Sequence, residues 1–558
     1  MIIKGATLFD GTGAARKLRQ DVALEGAVIK AVGEDLPANG DARVVEADGL
    51  ALMPGIIDTH THYDAQITWD PGLTPSPELG VSSVVIGNCG FTIAPCREQD
   101  RDLVMRNLTQ VEGMSLDVLR NGIDWNFESF PEYLDALEAR GAAINVAAFI
   151  GHSALRTYVM GADAVERAAT PEEIERMAGI VGEAMRAGAV GFATSTAPQH
   201  NGWGGIPMPS RLADDAELLA LARAMRSEGY GLFMLTKGDR TDVAYLEELA
   251  GKADCPIMIA ALLHNPTNPG GTLTELARIG EARARGHELW GQVSCCPLTM
   301  DFSLASAYPL EGLRAWKPAA QATGPELRRV LADPSFRQAV KDELAQPAGV
   351  RLFNGEWHKL VLTEAAKPEN RPLEDRNVAD LAAEAGQDPL DWMLDFALSE
   401  DLDSLFTALL LNSDEEAVGK MIRDPNASVA LSDAGAHLTF FCDAGFGLHL
   451  MGHWSRELSH LSLEEAVHEL TGKPAGIFRL PGRGTIAPGQ AADILLFDPE
   501  TVGRGPKRRV TDLPGGAPRL TTDAVGLHGL WVNGETIMDR DGRMLPGKRA
   551  GRLLRASA

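Results

Sequence analysis

The sequence predicts an α/β protein: a (β/α)8 TIM-type barrel with a small β-sandwich domain formed from the N- and C-terminal segments. Three observations carry that expectation. Along the middle of the chain, short apolar runs ending in polar or glycine-rich residues alternate with amphipathic helical segments. Eight such runs occur, the number a closed barrel of this type requires. The two ends of the chain share a different texture, apolar pieces of two to four residues spaced by Gly, Asp and Asn turns, with no helical period.

In chain order, Met1-Ile2-Ile3, Val22-Ala23-Leu24, Val28-Ile29 and Val44-Val45-Glu46 are the pieces at the head, and 492–498 and Trp531-Val532-Asn533-Gly534 answer them at the tail. The expected boundaries are 1–52 with 483–558 for the β domain and 53–482 for the barrel. The barrel runs are 52–57, 81–86, 144–150, 189–194, 231–235, 256–263, 289–293 and 428–431. Helix starts support the alternation independently. Thr170-Pro171-Glu172-Glu173 joins an N-cap, a proline at the first helical position and a capping-box glutamate. Thr272-Leu273-Thr274-Glu275 and Ser462-Leu463-Glu464-Glu465 read the same way. Two connections, 91–143 and 297–427, exceed a bare barrel and are read as insertions that form walls and lids over the site. Trp125, Phe127, Phe130 and Tyr133 in the first of them either line a partly apolar pocket or fill the insertion's own core, the second being preferred residue by residue. Residues 503–519, rich in Gly, Pro and Arg, read as a surface loop.

Composition narrows the partners. Lys plus Arg is 52 against 77 Asp plus Glu, a net charge of −25, and no long basic run occurs. That balance excludes nucleic acid and anionic membrane as expected partners and leaves a small molecule, with self-association open. No basic start precedes an apolar stretch, and no run of about eighteen apolar residues occurs, so the expected location is cytoplasmic. Six cysteines without a CxxC pair are too few for a disulfide framework and fit a reducing compartment.

The polar residues at the strand ends are His60 and His62, Cys89, His152, Lys237, His264 and Asp433. Strand alternation puts His60 and His62 on one side, where two imidazoles can hold one metal ion and leave its far face open. Barrel geometry brings all eight C-terminal ends to one face, so residues hundreds apart in sequence can converge there. Taken singly, each is more readily a packed core residue than a ligand. Histidines at two strand ends, a thiol at a third and a carboxylate at the last are together the set a hydrolytic zinc site uses.

The run Pro54-Gly55-Ile56-Ile57-Asp58-Thr59-His60-Thr61-His62, the final strand ending in Ser432-Asp433, and the tail Gly484-Thr485-Ile486-Ala487-Pro488-Gly489-Gln490-Ala491-Ala492-Asp493 resemble the amidohydrolase superfamily of metal-dependent barrel hydrolases. Gly87-Asn88-Cys89-Gly90 with Ala94-Pro95, Gly151-His152-Ser153-Ala154-Leu155-Arg156 and Gly188-Ala189-Val190-Gly191 are similar to its N-acyl-D-amino-acid deacylase (D-aminoacylase) branch. The resemblance implies a zinc-dependent hydrolase cleaving an amide-type C–N bond other than a peptide bond, in an N-acyl amino acid or related amide. Metal-activated hydroxide would attack, and an aspartate would shuttle the proton. It implies one or two zinc ions held by His60, His62, Cys89, Lys237, His264 and Asp433. Cys89 stands for the carboxylated lysine common elsewhere in the superfamily, His264 for the sixth-strand histidine, and Asp433 for the catalytic proton carrier, with Lys237 the second candidate catalytic residue.

Two departures from that pattern bear on mechanism. The branch ends its fifth strand in Thr-His, but this chain has Thr236-Lys237. Lys237 is then a carboxylated, metal-bridging lysine, an ammonium replacing a second ion beside the scissile carbonyl, or a charge pointing away, with the carboxylated form preferred. The branch also clamps the substrate carboxylate with an arginine soon after the aspartate, but neither lysine nor arginine occurs between Arg423 and Arg456, and 437–443 is apolar and faintly acidic. The lysine that follows the sixth-strand histidine is likewise replaced, by Asn265-Pro266. A cyclic or neutral carboxamide lacking a free carboxylate is therefore the alternative substrate. A deaminase is disfavoured by Lys237, and a metal-free barrel serving as a binding protein is the rival from another class. His152, His200 and His437 are the candidate substrate-binding residues, His200 as part of the loop 199–205. His449, His453, His460 and His468 read as structural.

Overall fold

The computed structural model describes residues 1–38, 40, 42–346, 353–437 and 443–555. The chain divides into two compact units, one of Met1–Leu262, Thr272–Cys295 and Gly419–Ala558, the other of Leu263–Gly271 and Cys296–Val418.

The first unit contains the barrel. Its strands are β1 (Ile56–Asp58), β2 (Val81–Ile86), β3 (Asn145–Gly151), β4 (Gly191–Ser195), β5 (Leu232–Thr236), β6 (Ile257–Leu262), β7 (Leu289–Val293) and β8 (Ala427–Val429). They pair in that order, every pair parallel. All eight expected runs are strands. They read as nearly unbroken apolar stretches because helices cover the outer face of a parallel sheet and the barrel core fills the inner one. Beyond the strand ends, the Asp433 N–H donates to the His60 carbonyl at 3.2 Å and the His62 N–H to the Ala434 carbonyl at 2.7 Å. These bonds join the last strand's exit to the first strand's exit.

The opening run 52–57 is two elements rather than one. Ala51–Pro54 pairs antiparallel with Ile494–Phe497 in the terminal sheet, and β1 starts only after Gly55. A Cβ at Gly55 would meet the Cβ of Ser82 at 2.4 Å, so only glycine lets the chain pass from one sheet to the other there. The terminal sheet has eight strands drawn from both ends of the chain, with Ile2–Leu8 beside Ala51–Pro54 and Leu527–Val532 beside Ile494–Phe497. Its buried core includes Ile3, Val22, Leu52, Ile494, Leu496 and Trp531.

Two local readings are corrected. Residues 503–519 do not form a loop: Gly503–Leu513 and Ala517–Val525 make an antiparallel hairpin turning through Pro514–Gly516. The turn-forming residues dominated the composition, while backbone pairing holds the ladder and Arg519 is anchored by Asp512 and by the Thr74 carbonyl, both at 2.7 Å. The second concerns 272–275. The helix begins at Gly271, one residue before the expected N-cap Thr272. The boxes at Thr170/Glu173 and Ser462/Glu465 form as expected.

Within 91–143 the chain makes helices Arg101–Val111, Leu116–Gly122 and Phe130–Arg140. Phe127, Phe130 and Tyr133 are buried, with Phe127 and Tyr133 rings 4.9 Å apart, so these aromatics pack together as the insertion's own core. The second unit holds a four-stranded antiparallel sheet ordered Leu298–Phe302, Leu405–Leu411, Leu360–Glu364, Arg376–Asn377, with helices including Val378–Ala385 and Pro389–Ser399. Among the described residues, no helix is long and apolar enough to cross a membrane. Cys89, Cys96, Cys255, Cys295 and Cys296 are buried and form no disulfide with one another.

Candidate metal centre

His60 and His62 follow β1 and are 2% and 3% exposed. Their rings stand edge to face with centroids 5.2 Å apart. Cys89 reaches them from the turn after β2, where Gly87, Cys89 and Gly90 all take left-handed backbone, at φ +85°, +56° and +76°. A Cβ at Gly90 would meet the Ala193 carbonyl oxygen at 2.6 Å, so the turn is pressed against β4 and returns the thiol over the end of β1. Left-handed backbone at a residue other than glycine costs about 1–3 kcal/mol and is kept where the surroundings over-determine it. Cys89 Sγ lies 3.5 Å from His60 Nε2. Ligand atoms of His60, His62 and Cys89 are all within 4.8 Å of one another.

Asp433 completes the group, also on left-handed backbone at φ +50°. Its Oδ1 is 3.4 Å from His60 Nε2 and 3.5 Å from His62 Nε2. The Asp433 side chain is 19% exposed, against 3% and 1% for those two histidines, so the carboxylate is the member that water and a substrate can reach.

Neighbouring side chains set the chemical state of the donors. Gln292, on β7, places its amide oxygen 2.6 Å from His60 Nδ1, while its amide nitrogen donates to Thr59 Oγ1. A carbonyl oxygen only accepts, so Nδ1 carries a proton and Nε2 is the nitrogen that faces Cys89 and Asp433. The Thr236 hydroxyl donates to Cys89 Sγ at 3.1 Å. Burial pushes the Cys89 thiol up, but the charge and hydrogen bond of His60 outweigh it and bring the thiol down to about 7. Burial likewise opposes ionisation of Asp433, and the imidazoles of His62 and His60 close beside it hold it well below the usual carboxylate range. Both ring nitrogens of His62 are buried without a hydrogen bond. Two imidazoles, a readily ionised sulfur and a carboxylate with unsatisfied nitrogen among them fit a zinc ion in donor type.

The remaining expected residues divide. Lys237 sends its ammonium to Glu275 at 2.7 Å. Strand alternation explains why Thr236, one residue earlier, meets the cysteine while Lys237 meets a helix. The pairing is that of an ammonium with a carboxylate, which favours the ammonium reading of Lys237. His264 lies in the second unit, where its N–H donates to Asn412 Oδ1 at 3.0 Å and its carbonyl accepts from the Asn412 N–H at 2.9 Å. Both its ring nitrogens are buried without a hydrogen bond.

His152 is fully buried away from the cluster. Its Nδ1 meets Thr194 Oγ1 and its Nε2 meets Glu217 Oε1, each at 2.7 Å, leaving no ring nitrogen for a substrate. Glu217 also pairs with Arg156, which donates to the Arg167 carbonyl at 2.8 Å. This network holds β3, β4 and helix Asp215–Ser227 together. Glu217→Gln is expected to lower stability by about 3–5 kcal/mol, because it leaves a buried guanidinium unpaired; urea denaturation checks it. The same network sets a pH dependence. Burial lowers the affinity of folded His152 for a proton, and His152 and Arg156 hold Glu217 below its ordinary value against the opposing effect of burial. Both groups therefore bind protons more readily unfolded. Their contribution is full above the histidine value of 6.5 and is lost as pH falls below it and then below the glutamate value of 4.5.

His200 and His437 do join the cluster. The His437 ring is 5.4 Å from His62. His200 packs at 4.9 Å on Phe91, which stacks at 6.4 Å on His62, and its Nδ1 is 2.6 Å from Ser195 Oγ. Burial first and the charge of His437 second push His200 down to about 3, so it is a neutral imidazole. The apolar stretch after His437 falls at 438–442, outside the described residues. Sequence reasoning missed Thr236, Gln292 and Glu112. A polar residue inside the apolar run 289–293 marks Gln292, and strand parity marks Thr236. Glu112, at the end of an insertion helix, carries no such signal.

Comparison with known proteins places the chain in a family. Residues 43–538 match the model of the amidohydrolase family. The chain is 30% identical to D-aminoacylase of Alcaligenes xylosoxydans xylosoxydans over 100% of its own length and 98% of that protein. A solved D-aminoacylase, studied for the role of its binuclear metal centre, superposes with a TM-score of 0.67 at 26% identity, covering 100% of this chain and 99% of that one. The same values hold for N-acyl-D-glutamate deacylase from Bordetella bronchiseptica, solved with zinc and a phosphonate mimic of the tetrahedral intermediate. The chain belongs to the amidohydrolase family and is similar along its whole length to the D-aminoacylase branch.

Proposed function

We propose that this protein is a zinc-dependent hydrolase of amide-type C–N bonds in small molecules, acting on an N-acyl amino acid or a related amide. The observation that carries the reading is the convergence of His60, His62 and Cys89 about the carboxylate of Asp433. The zinc and the binuclear centre of the solved relatives support it.

His60, His62 and Cys89 would hold the ion, with Gln292 orienting His60 and the Thr236 hydroxyl favouring the thiolate of Cys89. Bound zinc lowers the pKa of water to about 7 and polarises a carbonyl as a Lewis acid. Asp433, ionised at neutral pH and the exposed member of the group, takes a proton from the attacking water and delivers it to the departing nitrogen. His200, neutral on Ser195, and His437 contact the substrate. His264 is assigned as a further ligand on the chemistry of its own side chain, two buried ring nitrogens without a hydrogen bond.

Lys237 acts as an ammonium held by Glu275 and not as an anionic ligand. Lys237→Gln is therefore expected to keep the wild-type metal stoichiometry, measured by elemental analysis. Loss of one equivalent would return Lys237 to the ligand set.

A second reading, a neutral or cyclic carboxamide, is favoured by the absence of any lysine or arginine between Arg423 and Arg456. The test is a panel of N-acyl-D-amino acids, their carboxamides and cyclic amides, offered to zinc-loaded and chelator-treated protein. Zinc-dependent release of amine from the free acids supports the first reading, and release confined to neutral or cyclic amides supports the second. Protein that takes up no zinc and cleaves none of them would overturn both in favour of a binding protein.

A further inference from the structure

We infer that Glu112 is a positioning residue for this metal centre: its buried carboxylate accepts the Nδ1–H of His62 and so holds that ring with Nε2 turned to the ion. The inference rests on the proposed zinc site. Glu112 closes helix Arg101–Val111, where its N–H donates to the Leu108 carbonyl at 2.8 Å. The residue is 4% exposed, and neither carboxylate oxygen has a hydrogen bond in ordinary geometry. No lysine or arginine among the described residues pairs with it. Its ion-pair partners are two imidazoles: His62 Nδ1 at 3.3 Å from Oε1, and His437 Nε2 at 3.9 Å from Oε2.

A buried carboxylate without a donor is costly, so one of those rings must supply the proton. His62 is the nearer, and the metal decides the matter. Its Nε2 lies on the Asp433 side, and an ion bound there needs that lone pair, which sends the single ring proton to Nδ1. Glu112 is the acceptor waiting on that side. His60 shows the same division of labour with Gln292 behind it. The two ligands therefore differ in backing: a neutral amide behind His60 and a carboxylate behind His62. A carboxylate makes the imidazole the stronger donor to metal, so His62 depends on its partner more than His60 does.

Glu112 has a second hold on the site. Its carbonyl accepts the His437 N–H at 2.8 Å, tying the loop that follows Asp433 to the same residue. One side chain and one carbonyl thus join the insertion helix to the first and the last strand exits.

The test is zinc affinity, measured by competition with a chromophoric chelator on the full-length wild type, Glu112→Gln and Glu112→Asp. The glutamine variant is expected to bind about 10–100-fold more weakly, as for other outer partners of metal histidines, with the aspartate variant between the two. Melting of the metal-free protein should not fall in parallel, because glutamine keeps the shape of the side chain and its amide oxygen can still accept from His62 Nδ1. In the cobalt-substituted protein, the exchangeable ring N–H signal of His62 should be shifted or lost in the glutamine variant while that of His60 stays. Unchanged affinity in Glu112→Gln would overturn the inference, as would a fall in metal-free stability with affinity preserved, which marks a merely structural role. Loss of one whole equivalent with the rest bound normally would also overturn it, making Glu112 the ligand of its own ion with His437. A wild type that binds no zinc would remove the proposed function itself and is a separate result.

Discussion

Asp433→Asn is expected to lower kcat by about 10²–10⁴-fold on a substrate found with the panel, assayed at saturating zinc so that metal occupancy is constant. The asparagine keeps the shape of the side chain and its contacts near His60 and His62. What it loses is the capacity to accept a proton. Asp433 is suited to that task because the two histidines keep it ionised, and because its side chain alone in the group has appreciable exposure. Its effect should fall on kcat more than on KM, since the proton moves in the transition state. Turnover near the wild-type value would mean that another group carries the proton. His437, five to six ångströms from His62 by ring centres at 5.4 Å, is then the residue to substitute next.

Cys89→Gly should remove stably bound zinc and with it the activity, yet leave the metal-free fold close to wild-type stability. Cysteine at φ +56° pays a backbone penalty that glycine does not, about 1–2 kcal/mol, which offsets the lost packing of one small side chain. The loss of affinity should exceed the roughly 10–100-fold associated with outer partners such as Glu112 and Gln292, because a donor atom itself is removed. Metal analysis after dialysis, together with thermal melting of metal-free protein, separates the two quantities. A large drop in metal-free stability would mean that Cys89 is kept for packing.

Much of this organisation was legible in the sequence. The eight barrel strands are apolar runs long enough to be recognised without contacts, because a parallel sheet buried on both faces needs apolar residues at every position and not at alternate ones. The sheet assembled from both chain ends was also visible, since its short pieces and turns lack any helical period. His60, His62, Cys89 and Asp433 could be named because each sits where a strand ends, and strand ends are where a barrel collects its chemistry. Where reading failed, the local pattern was ambiguous. Pro54-Gly55 marked a break but not a passage between two sheets, and the glycines and prolines around 514–516 hid a hairpin.

What the sequence by itself determined was the element order, the family resemblance and the kind of donor at each strand end, because these depend on periodicity and residue type. The tertiary structure decided which of those donors meet. One residue of strand parity turns Thr236 toward Cys89 and Lys237 toward Glu275. Two hydrogen bonds and an arginine-paired glutamate draw His152 into the core, although its place after β3 matches that of a site residue. Glu112 enters through a helix that no strand-end rule addresses. Side-chain direction and burial are set by contacts distant in sequence, and at a metal site a rotation of one residue exchanges a ligand for a surface charge.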